Sequence, residues 1–251
     1  MVDEELSESL PSDPKDMMQD RIVLYFDICG FGAAVEESDG DTTKEQALFK
    51  ILEFTQSLLQ IDQSAPPDAE YFPDFKINVL SDCVFVSTEL DHRALGILFY
   101  IVQVVHCRLL KEDTPFFVRG GIDYGRVHHD GNIIFGAPVV RAVKIEENSA
   151  SYFRTMISDK IKMDIVDKAD TELNLKDFLA SDNNNEYYVD YLIKMRCPES
   201  AQSTTPMCQI IGNLQSISKD INFEHNDKLK KKYEWFQKYW NTKELPMLNF
   251  F

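Results

Sequence analysis

The run Arg21-Ile-Val-Leu-Tyr-Phe-Asp27, continued by Ile28-Cys29-Gly30-Phe31-Gly32, is a compact apolar strand that ends on a carboxylate and a glycine-containing turn. Side chains alternate along a strand, so Tyr25 and Asp27 share one face while Phe26 and Ile28 take the other. The turn leads straight into a helix, and backbone N–H groups at such a turn can hold phosphate oxygens. Downstream, residues 42–61 carry Ala47, Leu48, Ile51, Leu52, Phe54, Leu58 and Leu59 at helical spacing, and a loop with Pro66, Pro67 and Pro73 comes next. Phe75–Leu80 and Cys83–Thr88 are strand-like runs joined at Ser81-Asp82, a hairpin that sets Asn78, Leu80 and Asp82 on one face with Asp82 at the tip. If this hairpin neighbours the first strand, Asp27 and Asp82 converge. Two carboxylates beside a phosphate-friendly turn suit Mg²⁺ or Mn²⁺; the alternative is two aspartates capping separate turns.

Further outward, a helix is expected over 93–110, a strand over Phe116–Tyr124, a turn around His128–Asn132, a short strand Ile133–Gly136 and a helix over about 138–150. The order βαββαβ predicts an α+β, ferredoxin-like domain, an antiparallel sheet with helices on one face. Residues 1–19, acidic and nearly free of large apolar side chains, are expected to be a disordered tail; one domain would fill 20–251, with its core over 21–160 and an extension over 161–251. That extension is expected to hold a strand–helix unit (154–167), a polar loop (181–186), a strand (187–194), a loop (196–206) and a final helix (227–240). Its Lys228–Lys232, Tyr233, Trp235, Phe236, Tyr239 and Trp240 predict a helix docking its aromatics on its own domain, with a membrane-surface helix as the alternative. His106 lies in an apolar helix as a core histidine, and His128-His129 are expected in a polar turn.

The 251 residues include 42 acidic and 26 basic side chains, a net charge of −16, which argues against nucleic-acid binding. Five scattered cysteines with no CxxC pair point to reduced thiols, hence a cytoplasmic setting. The acidic start is unlike a signal peptide. Ala94–Leu110, interrupted by Gln103, His106 and Arg108, is too short and polar to span a bilayer, so no membrane partner is expected.

Phe26-Asp27-Ile28-Cys29-Gly30-Phe31 resembles the F-D-I-x-G-F signature of class III nucleotide cyclases. Ser81-Asp82-Cys83 stands where that family has Gly-Asp, and Arg119-Gly-Gly-Ile-Asp-Tyr-Gly125 is similar to its R-x-G-I-x-x-G strand. Phe135-Gly136 before a helix fits the next segment of that family. The likeness spans about residues 21–155. It departs at the helix that normally carries an Asn and, four residues on, an Arg: aligning on Gly136 puts Val140 and Lys144 there. The two base-reading positions hold Asn78 and Ile133, unlike adenylate or guanylate cyclases. Arg-Gly-Gly, Ile-Phe-Gly, Ile-Glu and Ala-x-Tyr-x-Arg154 are instead similar to the pyrimidine nucleotide cyclases of bacterial Pycsar anti-phage defence.

The resemblance implies attack of a ribose 3′-OH on the α-phosphate of UTP or CTP, giving cyclic UMP or cyclic CMP plus pyrophosphate; UTP is preferred. Asp27, Asp82 and the Ile28 carbonyl would hold two divalent ions, Mn²⁺ or Mg²⁺, and the amides of Cys29, Gly30, Phe31 and Gly32 would seat the β- and γ-phosphates. Tyr25 would pack on the sugar or base, Asn78 would meet the base edge, and Arg154, with Lys144 or Arg141, would supply cation to the phosphoryl charge; a salt bridge from Arg154 to Glu146 or Glu147 is the alternative. The resemblance further implies a head-to-tail homodimer with sites at the subunit interface, and a separate effector that reads the cyclic product. A catalytically inactive cyclase-like sensor is the competing reading.

Overall fold

A computed structural model describes residues 17–58, 73–112, 114–149, 151–169, 174–195, 205–220, 223, 226–243 and 245–250. The expected tail before residue 17, the Pro66–Pro67 loop and most of the 196–206 loop lie outside the described residues.

Strand β1 (Gln19–Cys29) is the spine of one sheet, running antiparallel to β3 (Cys83–Glu89) on one side and β4 (Phe117–Asp130) on the other. With β2 (Lys76–Leu80) paired to β3, the order β2-β3-β1-β4 is that of a ferredoxin-like sheet. The sheet continues through β6 (Thr155–Ile157), β8 (Tyr187–Val189) and β7 (Leu179–Ser181), and β5 (Ile133–Gly136) folds back on β4. The β4–β6 pair is parallel, so the sheet is mixed where an antiparallel one was expected.

The helices α1 (Phe31–Ser38), α2 (Thr42–Ser57) and α3 (His92–Leu109) account for the expected helical patterns, with Asp41 and Asp91 capping the last two by accepting two backbone N–H bonds each. Ile22, Leu24, Phe26 and Ile28 share one buried cluster with Leu95, Leu98, Phe99 and Val102 of α3. The intervening residues Val23 and Tyr25 pack instead with Ala142 of α4 (Ala137–Ser149). Helices therefore cover both faces, a correction to the one-face expectation. The cause is local: β1 is apolar at odd and even positions alike, and Gly121 leaves room for α4, a Cβ there falling 2.2 Å from the Ala142 carbonyl oxygen.

In the C-terminal part, a short helix α5 (Asp159–Ile161) leads into a wider turn over Lys162–Val166, then come α6 (Thr205–Asp220) and α7 (Asp227–Asn241). Helix α7 docks on the domain: Tyr233, Phe236, Tyr239 and Trp240 are buried against Phe117, Phe153, Tyr188 and Tyr191. The strand expected over 187–194 ends at Val189. Buried Asp190 bends the chain there, accepting bonds from Tyr239 Oη and Lys243 Nζ, both at 2.5 Å, while Gln103 donates to its carbonyl. No described helix is long and apolar enough to cross a membrane.

Candidate active site

Antiparallel pairing places Asp27 of β1 directly between Cys83 of β3 and Arg119 of β4. Directly paired residues project to the same face, so all three side chains lie on the α4 side of the sheet. The β2–β3 hairpin then supplies Asp82, whose carbonyl accepts a 3.2 Å bond from Ile28 N–H, tying the hairpin tip to the end of β1. The turn needs Ser81 at φ +56°, a left-handed conformation that favours glycine. One ligand atom from each of Asp27, Asp82 and Cys83 lies within 4.8 Å of the others. Two hard carboxylate oxygens at this spacing fit a divalent cation of the Mg²⁺ or Mn²⁺ kind, which takes one or two carboxylates and fills its other positions with water or phosphate.

Two residues complete the charge balance. An Arg119 nitrogen donates to Asp27 Oδ2 at 3.0 Å and lies 2.9 Å from Glu146 Oε1 of α4, out of line for a hydrogen bond there. Glu146 is buried, and burial raises its carboxyl pKa; Arg119 opposes that rise and Asp27 adds to it. The arginine therefore bridges a half-buried carboxylate and a buried one. Behind Asp27, the Tyr25 hydroxyl and Cys83 Sγ are 3.3 Å apart, and burial raises the pKa of both groups.

The turn after β1 is built as the sequence suggested. Gly30 sits at φ +82° and precedes α1, whose first-turn N–H groups receive no side-chain cap among the described residues. Phe31 points its ring into the core, and Gly32 is exposed, so only their backbones face outward. Ile28 buries its side chain on the α3 face. Cys29 packs toward the α7 side, where burial pushes its thiol up to about 11. The Tyr25 ring, 8% exposed, lies against Phe85 at 4.8 Å beneath α4, so its room for a sugar or base is small.

The expected cationic group is not assembled here. Arg154 is 2% exposed, donates to Asp182 and Glu186 at 2.9 and 3.3 Å, and is ringed by Tyr152, Tyr188 and Trp235. Its guanidinium holds the β8 region together, and its acidic partners among the described residues are Asp182 and Glu186 rather than Glu146 or Glu147. Arg141 pairs with Asp123 and donates to the Tyr124 carbonyl, and with Lys144 it lines a separate groove that also includes Ser158 and Lys160. Val140 and Lys144 are exposed on α4. Asn78 is half-buried two strands from β1, paired with Phe85.

Sequence reasoning missed Arg119, Glu146, Cys83 and His129. Arg119 could have been found by carrying the alternation argument across a β1–β4 pairing. Glu146 needed the position of α4. His129, expected in a polar turn, is buried between Ser87 and Asn78, because β4 runs straight through to Asp130. His106 does lie in the core, its Nε2 3.0 Å from Thr155 Oγ1 and its ring stacked on Tyr191.

No protein-family model and no curated protein matches the chain. Solved structures with similar folds include an adenylate/guanylate cyclase/hydrolase from Silicibacter pomeroyi, at 19% identity and TM-score 0.42, covering 68% of this chain and 95% of that one. A second is the catalytic core of a rhodopsin-guanylyl cyclase with converted specificity in complex with ATPαS, at 15% identity and TM-score 0.46, covering 68% and 94%. A third is a class III adenylyl cyclase-like ATP-binding protein from Pseudomonas aeruginosa, at 15% identity and TM-score 0.39, covering 56% of this chain and 33% of that one.

Proposed function

We propose that this chain is a divalent-metal-dependent nucleotide cyclase that converts a pyrimidine nucleoside triphosphate, UTP ahead of CTP, to its 3′,5′-cyclic monophosphate and pyrophosphate. The carrying observation is the convergence of Asp27 and Asp82 beside the uncapped start of α1. Asp27 and Asp82 would hold the metal, with the Ile28 carbonyl as a further oxygen ligand. Bound divalent cations, Mn²⁺ or Mg²⁺, would supply charge neutralisation for the triphosphate and acidify the attacking 3′-OH. The free N–H groups at the start of α1 bind and orient phosphate oxygens. Arg119 balances the carboxylates before a cation binds and presents a fixed positive charge next to the phosphates afterwards. The sheet floor of Tyr25 and Phe85 excludes water from beneath the reacting centre.

The pyrimidine preference rests on Asn78 and Ile133 standing at the base-reading positions, and the proposed role as a signal source in Pycsar anti-phage defence, read by a separate effector, rests on the sequence likeness. A head-to-tail homodimer is supported by large apolar side chains left in solvent at the sheet edge and on α4: Leu80 at 75%, Ile133 at 62%, Phe135 at 47% and Val140 at 54% exposure. A second chain would also bring cationic residues to the site in addition to Arg119. Sequestration of Arg154 favours the competing reading, an inactive nucleotide-binding sensor.

Incubating the purified protein with Mn²⁺ and each of the four NTPs, with products identified by mass spectrometry, tests the proposal. Cyclic UMP that disappears in Asp27→Ala and Asp82→Ala supports it. Nucleotide binding without any cyclic product establishes the sensor instead.

A further inference from the structure

Four polar side chains on the α4 face form a chain that ends at the base-reading position. Arg21 Nε donates to Ser87 Oγ at 2.9 Å, Ser87 Oγ lies 2.7 Å from His129 Nδ1, and His129 Nε2 lies 3.1 Å from Asn78 Oδ1. Arg21 is anchored from behind by Asp74 at 2.8 Å, and Lys76 donates to the His129 carbonyl at 2.7 Å. Arg21, Ser87 and His129 are all buried.

Proton directions along this chain are set by what each group can give. Ser87 Oγ already accepts from Arg21, and among the described residues its own O–H has one acceptor in reach, His129 Nδ1. Were Nδ1 the donor, the serine proton would be buried without a partner, which costs about 1–3 kcal/mol. Nδ1 is therefore the acceptor, and a neutral ring must then carry its hydrogen on Nε2. Burial, with Arg21 and Lys76 close by, lowers the His129 pKa to about 4, so the ring is neutral at pH 7. The Nε2 hydrogen points at Asn78 Oδ1, which takes one of that oxygen's two lone pairs and fixes the amide with its NH₂ on the opposite side. The Asn78 NH₂ makes no hydrogen bond among the described residues. It borders a groove of about 620 Å³ lined also by Phe85, Asn132 and Ile134.

We infer that His129 and Ser87 are positioning residues that lock Asn78 as a hydrogen-bond donor toward the base, so that the site selects a base with an oxygen, not an amino group, at its exocyclic Watson–Crick position. On the Watson–Crick edge the C4 substituent is an acceptor oxygen in uracil and a donor amino group in cytosine, while ring N3 reverses in the opposite sense; the amide selects uracil by meeting the C4 substituent, the outermost atom of the two. Among pyrimidines this selects UTP over CTP. The inference rests on the nucleotide-cyclase reading and deepens it by naming the group on the base that is recognised.

The test measures binding with 3′-deoxy-UTP and 3′-deoxy-CTP, which lack the attacking hydroxyl, by titration calorimetry with Mn²⁺. Wild type should bind the uracil analogue roughly tenfold to a hundredfold more tightly, the span of one mispaired hydrogen bond. Asn78→Asp places an acceptor where the NH₂ stood and should invert the ratio. His129→Ala frees the amide to rotate and should bring the ratio close to one while both analogues still bind; a general loss of packing would weaken both equally and leave the ratio alone. An unchanged ratio in both variants, or a wild-type preference for the cytosine analogue, overturns the inference and leaves the cyclase reading standing. Failure of wild type to bind either analogue overturns both.

Discussion

Replacing Gly121 by alanine should be among the most damaging single-methyl changes in this protein. The added Cβ falls 2.2 Å from the Ala142 carbonyl oxygen and 2.8 Å from Ile145 Cβ, where ordinary contact begins at 3.4 Å. Both obstacles belong to α4, and one is backbone, so no rotamer change relieves the clash. Restoring 3.4 Å from 2.2 Å means a retreat of about 1.2 Å by the helix, since β4 is held between β1 and β6. Overpacking of this kind costs about 1–3 kcal/mol, and loosening Val139, Ala142 and Val143 from Val23 and Tyr25 brings the sum to the upper end. At about 2–4 °C per kcal/mol for a chain of this size, Tm should fall by roughly 6–12 °C in a thermal melt followed by circular dichroism. Gly212→Ala in α6, where a Cβ meets nothing within 4 Å, should be neutral or raise Tm slightly. A Gly121→Ala protein melting within about 2 °C of wild type would refute the close β4–α4 packing.

Three further outcomes are expected. Burial holds His106 at about 3 and His129 at about 4, both below the unfolded value near 6.5. The unfolded chain therefore binds more protons below pH 6.5, and stability should fall as pH drops from 7 to 5, by about 2 kcal/mol per histidine; denaturant titrations showing equal stability at the two pH values would contradict this. Ser81→Gly relieves the left-handed φ of +56° at the hairpin tip and should stabilise the fold by about 1 kcal/mol, seen as a higher denaturant midpoint; a lowered midpoint would deny the strain. Arg154→Met should destabilise by roughly 2–4 kcal/mol, through lost ion pairs and ring contacts, yet leave nucleotide affinity of the folded protein unchanged; intact stability with lost affinity would return Arg154 to the site.

The features legible in the sequence came from short-range periodicity. Period-two alternation in β1 and in the β2–β3 hairpin put Asp27 and Asp82 on convergent paths, and Gly30 marked the turn between strand and helix. The side of the sheet taken by α4 was not legible, because β1 is apolar on both faces and gives no sign of which one a given helix covers. The surroundings of Arg154 were not legible for a related reason: Asp182, Glu186, Tyr188 and Trp235 are brought to it by β8 with the turn before it and by α7, far along the chain. Pairing between β3 and β4 residues through β1 was likewise invisible in the histidine pair, so His129 looked like a turn residue until its neighbours Ser87 and Asn78 were in place.

Titration of the nucleotide-free protein with Mn²⁺, monitored by loss of the free-ion signal in electron paramagnetic resonance, probes the paired aspartates without depending on turnover. Saturable binding is expected, and Asp27→Ala and Asp82→Ala should each weaken it by at least about tenfold, in chains whose circular dichroism is unaltered. Undiminished Mn²⁺ binding in both variants would mean that the two aspartates do not form a cation site, whatever their distance.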